Sequence, residues 1–206
     1  MPPSDIYLVR HGQSEWNAAG RWQGQADPEL SSLGREQAQQ LAGAFTDHGV
    51  THVVTSDLQR ALETAQPVAE RLGLEPLVDP DVREIDVGSW SGMTRDEIQA
   101  DDADALELYF QGKRGWTGGE TYAEHETRCD RAALRLANLD SDGGIVVVTH
   151  GGTIRALVLA LLEIDHAHRR RLASLGHTSI THLTRDASGW RLRAYNAPLS
   201  AFRVSE

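Results

Sequence analysis

The 206-residue sequence has a single cysteine, Cys129, so no intrachain disulfide is available. Its place within an apolar-periodic segment marks it as a buried core thiol, which fits a reducing compartment. Positive charge is scarce. Twenty Lys and Arg against 30 Asp and Glu leave a formal net charge of -10, and that repulsion opposes binding to nucleic acid or an anionic membrane. Any anion must therefore be held by a local cluster. No uncharged apolar run reaches membrane-spanning length, and Met1-Pro-Pro-Ser-Asp lacks the basic and apolar regions of a signal peptide. The expectation is a soluble, cytoplasmic protein. Repeats, low-complexity linkers and breaks in composition are also missing, so residues 1–206 are expected to form a single domain. Its 40% hydrophobic content is enough for one core without disulfide or metal staples. Nor is there a Gly-x-x-x-x-Gly-Lys loop, a dinucleotide-binding glycine fingerprint or a Gly-x-Ser-x-Gly elbow.

Three short runs rich in branched apolar residues read as buried strands: 6–9, 52–55 and 145–149. They lie too far apart for hairpins, and segments of helical spacing separate them, so a parallel sheet with crossover helices is expected. One helix opens at Ser32 or Gly34 and buries Ala38, Leu41, Ala42 and Phe45. The next is capped by Ser56 or Asp57, carries Pro67 as a kink and ends at Gly73. A long helix follows from Thr121 to Leu139, and a short apolar one after Gly151-Gly152. A short strand is expected at 75–78. Two late strands, 177–184 and 190–195, joined at Asp186 to Gly189, suggest an antiparallel hairpin at one sheet edge. The fold class is therefore α/β: a three-layer α/β/α sandwich with a mostly parallel central sheet.

Chemistry gathers at the strand ends. The first strand ends in Arg10-His11-Gly12, the second leads to Arg60, and the third ends in His150-Gly151-Gly152. In open α/β sheets ligands bind beyond the carboxyl ends of the parallel strands, so these side chains should converge. Two arginines and two histidines suit a phosphate dianion, because each guanidinium offers a planar fork of donors. The three glycines would let backbone approach it, and the helix starting near Gly151 would aim N–H groups at it.

Leu8-Val9-Arg10-His11-Gly12-Gln13-Ser14-Glu15-Trp16-Asn17 resembles the signature of the histidine phosphatase superfamily, in its phosphoglycerate mutase-like branch. The stretches 21–24, 27–34, 56–61, 83–88 and 149–152 are similar to further family blocks in the expected order. A bare Arg-His-Gly tripeptide would be weak evidence; five more blocks make coincidence implausible. The resemblance implies that His11 is the nucleophile, that Arg10, Arg60 and His150 form the phosphate pocket, and that Glu84 protonates the leaving group. It also places Asn17 on the transferred phosphate, with Gln23, Gly24 and Gly151 among the substrate contacts; taken singly, Asn17 could be an Asx turn, and Gln23 and Gly24 read equally as loop structure. Glu84 competes with Glu75, Asp79, Asp81 and Asp86. The other branch of the superfamily has an aspartate after its second histidine, where this chain has Gly151. A carboxylic acid kept protonated by burial or by the adjacent dianion could supply the proton.

Hydrolysis of a small phosphate monoester through a phosphohistidine is the expected reaction. The resemblance leaves sugar phosphates, phosphoglycerate derivatives such as glucosyl-3-phosphoglycerate and nucleoside-like monoesters open. Phosphoglycerate mutase-type transfer and a noncatalytic phosphate-binding module are the alternatives. Family mutases carry a longer insertion, whereas only 65 residues separate Glu84 from His150 here. No metal or cofactor is expected, and oligomeric state is open between monomer and homodimer. Lys113, Arg114 and Trp116 are candidates for reading the rest of the substrate. Asp165-His166-Ala167-His168, next to three arginines, reads as a solvated helix face rather than a metal site.

Overall fold

The computed structural model describes residues 1–46 and 48–202. The first strand, β1 (Asp5–Arg10), lies in the middle of a six-stranded sheet. Its neighbours are β2 (Val50–Thr55), β3 (Leu77–Val78), β4 (Gly144–Thr149), β5 (Ile180–Asp186) and β6 (Gly189–Ala197), in the spatial order β3-β2-β4-β1-β5-β6. The first four are mutually parallel; β5 and β6 run antiparallel at one edge.

The apolar runs produce this arrangement because both faces of the sheet are covered. Side chains alternate along a strand. Ile6, Leu8, Ile145 and Val147 therefore face one layer, and Tyr7, Val9, Val146 and Val148 the other. The first layer holds α6 (Tyr122–Ala137) and α7 (Gly151–Leu161), which contribute Cys129, Ala132, Leu136, Ile154 and Leu157. The second holds α2 (Ser32–Ala42) and α3 (Gln59–Leu72), with Leu41, Ala61, Ala65 and Val68. A one-turn helix, α1 (Glu15–Ala18), sits above the sheet. Two further helices, α4 (Arg95–Asp101) and α5 (Ala103–Phe110), cover a separate cluster of Val87, Trp90, Ile98, Leu106 and Trp116. The α/β/α sandwich with an antiparallel edge is the fold read from the sequence.

Several local expectations change. The α3 helix starts one residue beyond the expected caps, and Leu58 at its N-cap position makes no side-chain cap bond. The Asp57 carboxylate is engaged by Arg83 instead, while Asp27 Oδ1 accepts the Gln59 N–H at 2.6 Å. A distant loop thus supplies the cap. Gly73 ends the helix in a left-handed conformation (φ 68°), as expected of a C-terminal glycine. Helices α4 and α5 were not anticipated. In α4 only Ile98 is buried, so its polar face hides the helical period, but Thr94 and Glu97 form a capping box.

Glycine sets how closely α2 approaches the loop after β1. A Cβ on Gly12 would lie 2.6 Å from the Gly34 carbonyl oxygen, and one on Gly34 would overlap the Gln13 backbone. The sequence suggested that Gly12 makes room for an anion; here it makes room for α2. We predict that Gly34→Ala destabilises the protein by about 1–3 kcal/mol, the scale of overpacking, and lowers turnover by shifting residues 11–14. Denaturant melts and steady-state rates read both effects. An unaltered melt would show that this contact can relax freely.

Candidate active site

In the register of β1 and β4, Arg10 lies opposite Thr149. His11 and His150 are the next residue on each strand, and their ring centroids are 5.1 Å apart. Arg60, on the first turn of α3, is 1% exposed. These side chains and Glu84 gather at the carboxyl end of the parallel strands. Arg10, His11, Arg60 and Glu84 line a cleft of about 630 Å³, and His150 lies fully buried against His11.

The cationic groups are held by carbonyls rather than by carboxylates. Arg10 Nη1 donates to Leu175 O at 2.5 Å, while Arg60 Nη1 and Nη2 donate to Ala26 O and Gly24 O at 2.7 and 2.8 Å. Gly24 adopts φ 54°, which brings its carbonyl to Arg60. Among the described residues, the buried Nε atoms of Arg10 and Arg60 and both ring nitrogens of His150 have no hydrogen-bond partner. Buried polar groups are rarely left so; the two guanidinium N–H groups and the single N–H of a neutral His150 ring suit one multivalent anion. Burial, then the charges of Arg60 and Arg10, holds the His11 pKa well below 6.5. His150 is held low by burial, Arg60 and His11. Both imidazoles are neutral at pH 7. His11 Nδ1 lies 2.6 Å from Gly12 O, so Nδ1 carries the proton and the lone pair belongs to Nε2.

Asn17 and Gln23 share an anchor. Asn17 Oδ1 accepts from Ser14 N at 3.1 Å, and Gln23 Oε1 accepts from Ser14 Oγ at 2.7 Å. Both amide carbonyls are thereby occupied, and both side chains line the cleft with NH₂ groups that have no partner among the described residues. Asn17 is at once a capping residue and a donor. Gly24 also lines the cleft; Gly152 does, while Gly151 does not.

Of the competing carboxylates, only Glu84 reaches the cleft. Asp79 and Asp81 pair with Arg135, and Asp86 Oδ1 accepts from Gly88 N. Glu84 accepts from Gly152 N (3.0 Å) and Ile85 N (3.0 Å). The N-terminus of α7 therefore grips the carboxylate, and a Cβ on Gly152 would overlap it. The sequence suggested that this helix end would face the anion and that burial would keep the acid protonated. Burial does raise the pKa, but the neighbouring His125, the two N–H groups and Arg155 outweigh it, and the net shift is downward. Glu84 is a carboxylate in the free protein.

Its backbone is clamped from below. Arg128 donates to Asp81 O (2.8 Å), Arg83 O (3.0 Å) and Glu84 O (3.2 Å), while Glu120 Oε2 accepts from Arg128 Nη2 at 2.7 Å. Sequence reasoning also missed His125, which stands on the apolar stripe of α6 and reaches Thr153 Oγ1 at 3.1 Å. A polar residue on that stripe, four before Cys129, was the available signal. His177, 5.9 Å from the His11 ring, was missed as well.

The outer cleft differs from expectation. Lys113 is exposed and away from the lining; Arg114 donates to Trp116 O and Gly118 O. Trp116 lines the cleft but is 3% exposed, with Nε1 bound to Glu120 O, so it is a wall and not a lid. Arg155, Arg169 and Arg170 supply the positive rim, with Trp22, Tyr109 and Tyr122 as aromatic surface. Arg169 stacks on Tyr122 at 4.0 Å and donates to Gly112 O, and Arg170 donates to Tyr109 O. His166, in the 165–168 stretch read as a solvated face, and the neighbouring Arg169 and Arg170 therefore form a wall of the cleft. His166 also pairs with Asp130 at 2.8 Å.

Strand-end histidines, carbonyl-held arginines and a helix-gripped carboxylate define a site for handling a phosphoryl group. Residues 6–198 match the histidine phosphatase superfamily (branch 1), and the chain belongs to that family. It is 36% identical over 210 residues to a glucosyl-3-phosphoglycerate phosphatase of Mycobacterium tuberculosis, covering 93% of this chain and 94% of the relative. A phosphoglycerate mutase-like protein 4 of Arabidopsis thaliana is 38% identical over 182 residues, covering 86% and 77%. Among solved structures, a mycobacterial glucosyl-3-phosphoglycerate phosphatase complexed with VO3 superposes with a TM-score of 0.86 at 35% identity, covering 95% of this chain and all of the other.

The depressed histidines predict a pH dependence of stability. His125 and His177 fall to about 4, chiefly through burial, and His11 and His150 are also lowered. Above about pH 6.5 these groups are neutral in both states. Below it the unfolded chain binds protons that the folded chain refuses, so stability falls as pH drops from 6.5 towards 4. The urea midpoint should be lower at pH 5 than at pH 7.5. Equal midpoints would show that these rings are accessible to protons in the folded state.

Proposed function

We propose that this phosphoric monoester hydrolase works as one domain, through a phosphohistidine on His11 Nε2. The carrying observation is the His11 Nδ1 contact with Gly12 O, which leaves the Nε2 lone pair beside the unpaired donors of Arg10, Arg60 and His150. The lone pair attacks phosphorus as the P–O bond to the alcohol breaks, and the cations neutralise the equatorial oxygens. Asn17 and Gln23 add neutral donors. Because Glu84 starts ionised, it takes up its proton when the doubly negative phosphoryl group arrives beside it, and it passes that proton to the departing alkoxide. In the second half, Glu84 as carboxylate accepts a proton from water, whose oxygen attacks phosphorus. The P–Nε2 bond breaks and inorganic phosphate leaves. The substrate is a small-molecule monoester, of which a glycosylated phosphoglycerate is the first candidate on the strength of the mycobacterial relative. Hydrolysis is favoured over mutase transfer because only the small α4–α5 cover and the loops around it stand between Glu84 and α6, in place of a long lid able to exclude water from an intermediate.

Acid quench with ³²P-labelled substrate should trap an acid-labile, base-stable phosphoenzyme in the wild type and none in His11→Ala. Undiminished turnover by His11→Ala would sink the mechanism. For Glu84→Gln the rate on alkyl phosphates should fall by about 10²–10⁴, the usual worth of a general acid, and far less on aryl phosphates with good leaving groups. Equal losses on both would assign Glu84 to structure or binding.

A further inference from the structure

A buried histidine that the phosphoryl-transfer steps leave unused also lines the cleft: His125, on α6 and 4% exposed. Its Nε2 lies 3.1 Å from Thr153 Oγ1 and 3.5 Å from Cys129 Sγ. A histidine on an apolar stripe is commonly a core residue whose polar atoms have been satisfied, and one hydroxyl partner is enough for that. Here the partner has a second neighbour. Thr153, fully buried on α7, donates to Arg83 O at 2.6 Å, and its Oγ1 also lies 3.5 Å from Glu84 Oε1. Among the described residues, no other side chain hydrogen-bonds the Glu84 carboxylate.

Proton counting fixes the direction of these contacts. The Thr153 hydroxyl has one proton, and at 2.6 Å it goes to Arg83 O, so Oγ1 meets His125 with a lone pair. Nε2 therefore carries the ring proton. Burial holds the His125 pKa down to about 4, against the charge of Glu84, with Arg128 and His166 lowering it further and Glu120 raising it, so the ring is neutral at pH 7. Burial pushes the Cys129 thiol up, so it keeps its own proton and is no competing base. Nδ1 is then a lone pair, without a partner among the described residues, on a ring that lines the cleft. Glu84 rests ionised, and an alkoxide leaves badly without a proton. A proton must therefore reach this carboxylate while the substrate fills the cleft in front of it.

We propose that His125 and Thr153 form the path by which Glu84 takes up its proton and gives it back. A proton from bulk water binds Nδ1, Nε2 passes its proton to Thr153 Oγ1, and the hydroxyl turns from Arg83 O to give its own proton to Glu84 Oε1. Thr153 is again a neutral hydroxyl, and His125 is a neutral ring with its proton on Nδ1. Moved in concert, the protons leave no charged threonine or imidazolium in the buried site. Glu84 then protonates the alkoxide and later takes a proton from the attacking water. The same three transfers run backwards and return that proton to bulk water, so one turnover leaves the ring as it began. This rests on the phosphatase reading and deepens it: His125 touches no reacting atom, and it acts through Glu84 by positioning the proton.

Glutamine separates the path from packing, because its amide can donate to Thr153 Oγ1 but cannot pass a proton on. In His125→Gln, kcat on an alkyl phosphate should fall about ten- to a hundredfold, no more than the loss of the acid itself. On an aryl phosphate with a good leaving group, which needs no proton, kcat should change little. His125→Ala leaves room at the cleft wall for imidazole from solution, and added imidazole should restore part of its lost alkyl rate. Undiminished alkyl turnover in His125→Gln, equal losses on both substrates, or no recovery with imidazole would overturn the path and leave His125 as packing between α6 and α7. The ring itself gives a readout without turnover: ¹⁵N shifts in the free wild-type protein should place the proton on Nε2. A proton on Nδ1 would overturn the path whatever the rates. The phosphatase reading fails separately, on a wild type that hydrolyses neither substrate, and takes with it any path to a leaving group; wild-type turnover that does not depend on His125 refutes the path alone.

Discussion

The structure depends on holding two guanidinium groups and two neutral imidazoles together at the end of a parallel sheet with one carboxylate nearby. Like charges in a half-enclosed space repel, and the usual remedy of pairing each arginine with an acid would cancel the field that captures an anion. Here the remedy is backbone. Leu175 O fixes Arg10, and Gly24 O and Ala26 O fix Arg60, so partial charges orient the cations without neutralising them. The imidazoles adapt by giving up protons. Burial and the two arginines press His11 and His150 towards the neutral form, which is the form of His11 able to attack phosphorus. One electrostatic constraint thus suits the site to an anion and keeps His11 in the neutral form that the proposed mechanism requires. A net charge of -10 over the whole chain keeps that positive potential local.

The acid is governed by a second set of contacts. Glu84 sits on a segment with no regular secondary structure, and such a segment places a carboxylate only as well as its backbone is fixed. Arg128 supplies that by donating to three carbonyls, those of Asp81, Arg83 and Glu84, and Glu120 balances its charge. Thr153 adds a bond to Arg83 O at 2.6 Å. From above, Gly152 N and Ile85 N bind the carboxylate itself. These N–H donors favour the ionised state, so the proposed mechanism relies on the incoming phosphoryl charge to draw a proton onto Glu84. On that proposal the acid is armed only when a substrate is present, and the same carboxylate returns to its resting charge when phosphate leaves.

What was readable in the sequence follows from the range of the forces involved. The buried strands announce themselves because both faces of β1 and β4 are covered, leaving uninterrupted apolar runs. Their parallel pairing makes the convergence of His11 and His150 a topological consequence, and the family blocks carry Arg60 and Glu84 with them. The outer cleft had no such rule. Lys113 and Arg114 lie in the most individual stretch of the chain, yet α5 and the Trp116 indole turn that stretch outward, because Trp90, Trp116 and Leu106 pack into their own cluster. Residues 165–168 looked solvated beside three arginines, but guanidinium stems cover apolar surface while their heads find carbonyls. Charge alone could not reveal which arginines would be occupied.

That distinction between occupied and unoccupied cations separates scaffold from recognition in this cleft. Arg169 and Arg170 are spent on Gly112 O and Tyr109 O, joining the 166–171 segment to the end of α5 and fixing the width of the mouth. Gly112, at φ 88°, lies against Arg170, so the turn after α5 is shaped to receive it. A mouth fixed in this way admits ligands by size before any charge is read. Beyond it, Trp22, Tyr109 and Tyr122 offer flat apolar surface that suits the faces of a ring or a short carbon chain. On the proposed function, specificity is set in sequence along the cleft: width at the guanidinium-tied rim, shape along the aromatic wall, and charge at the inner end beside His11.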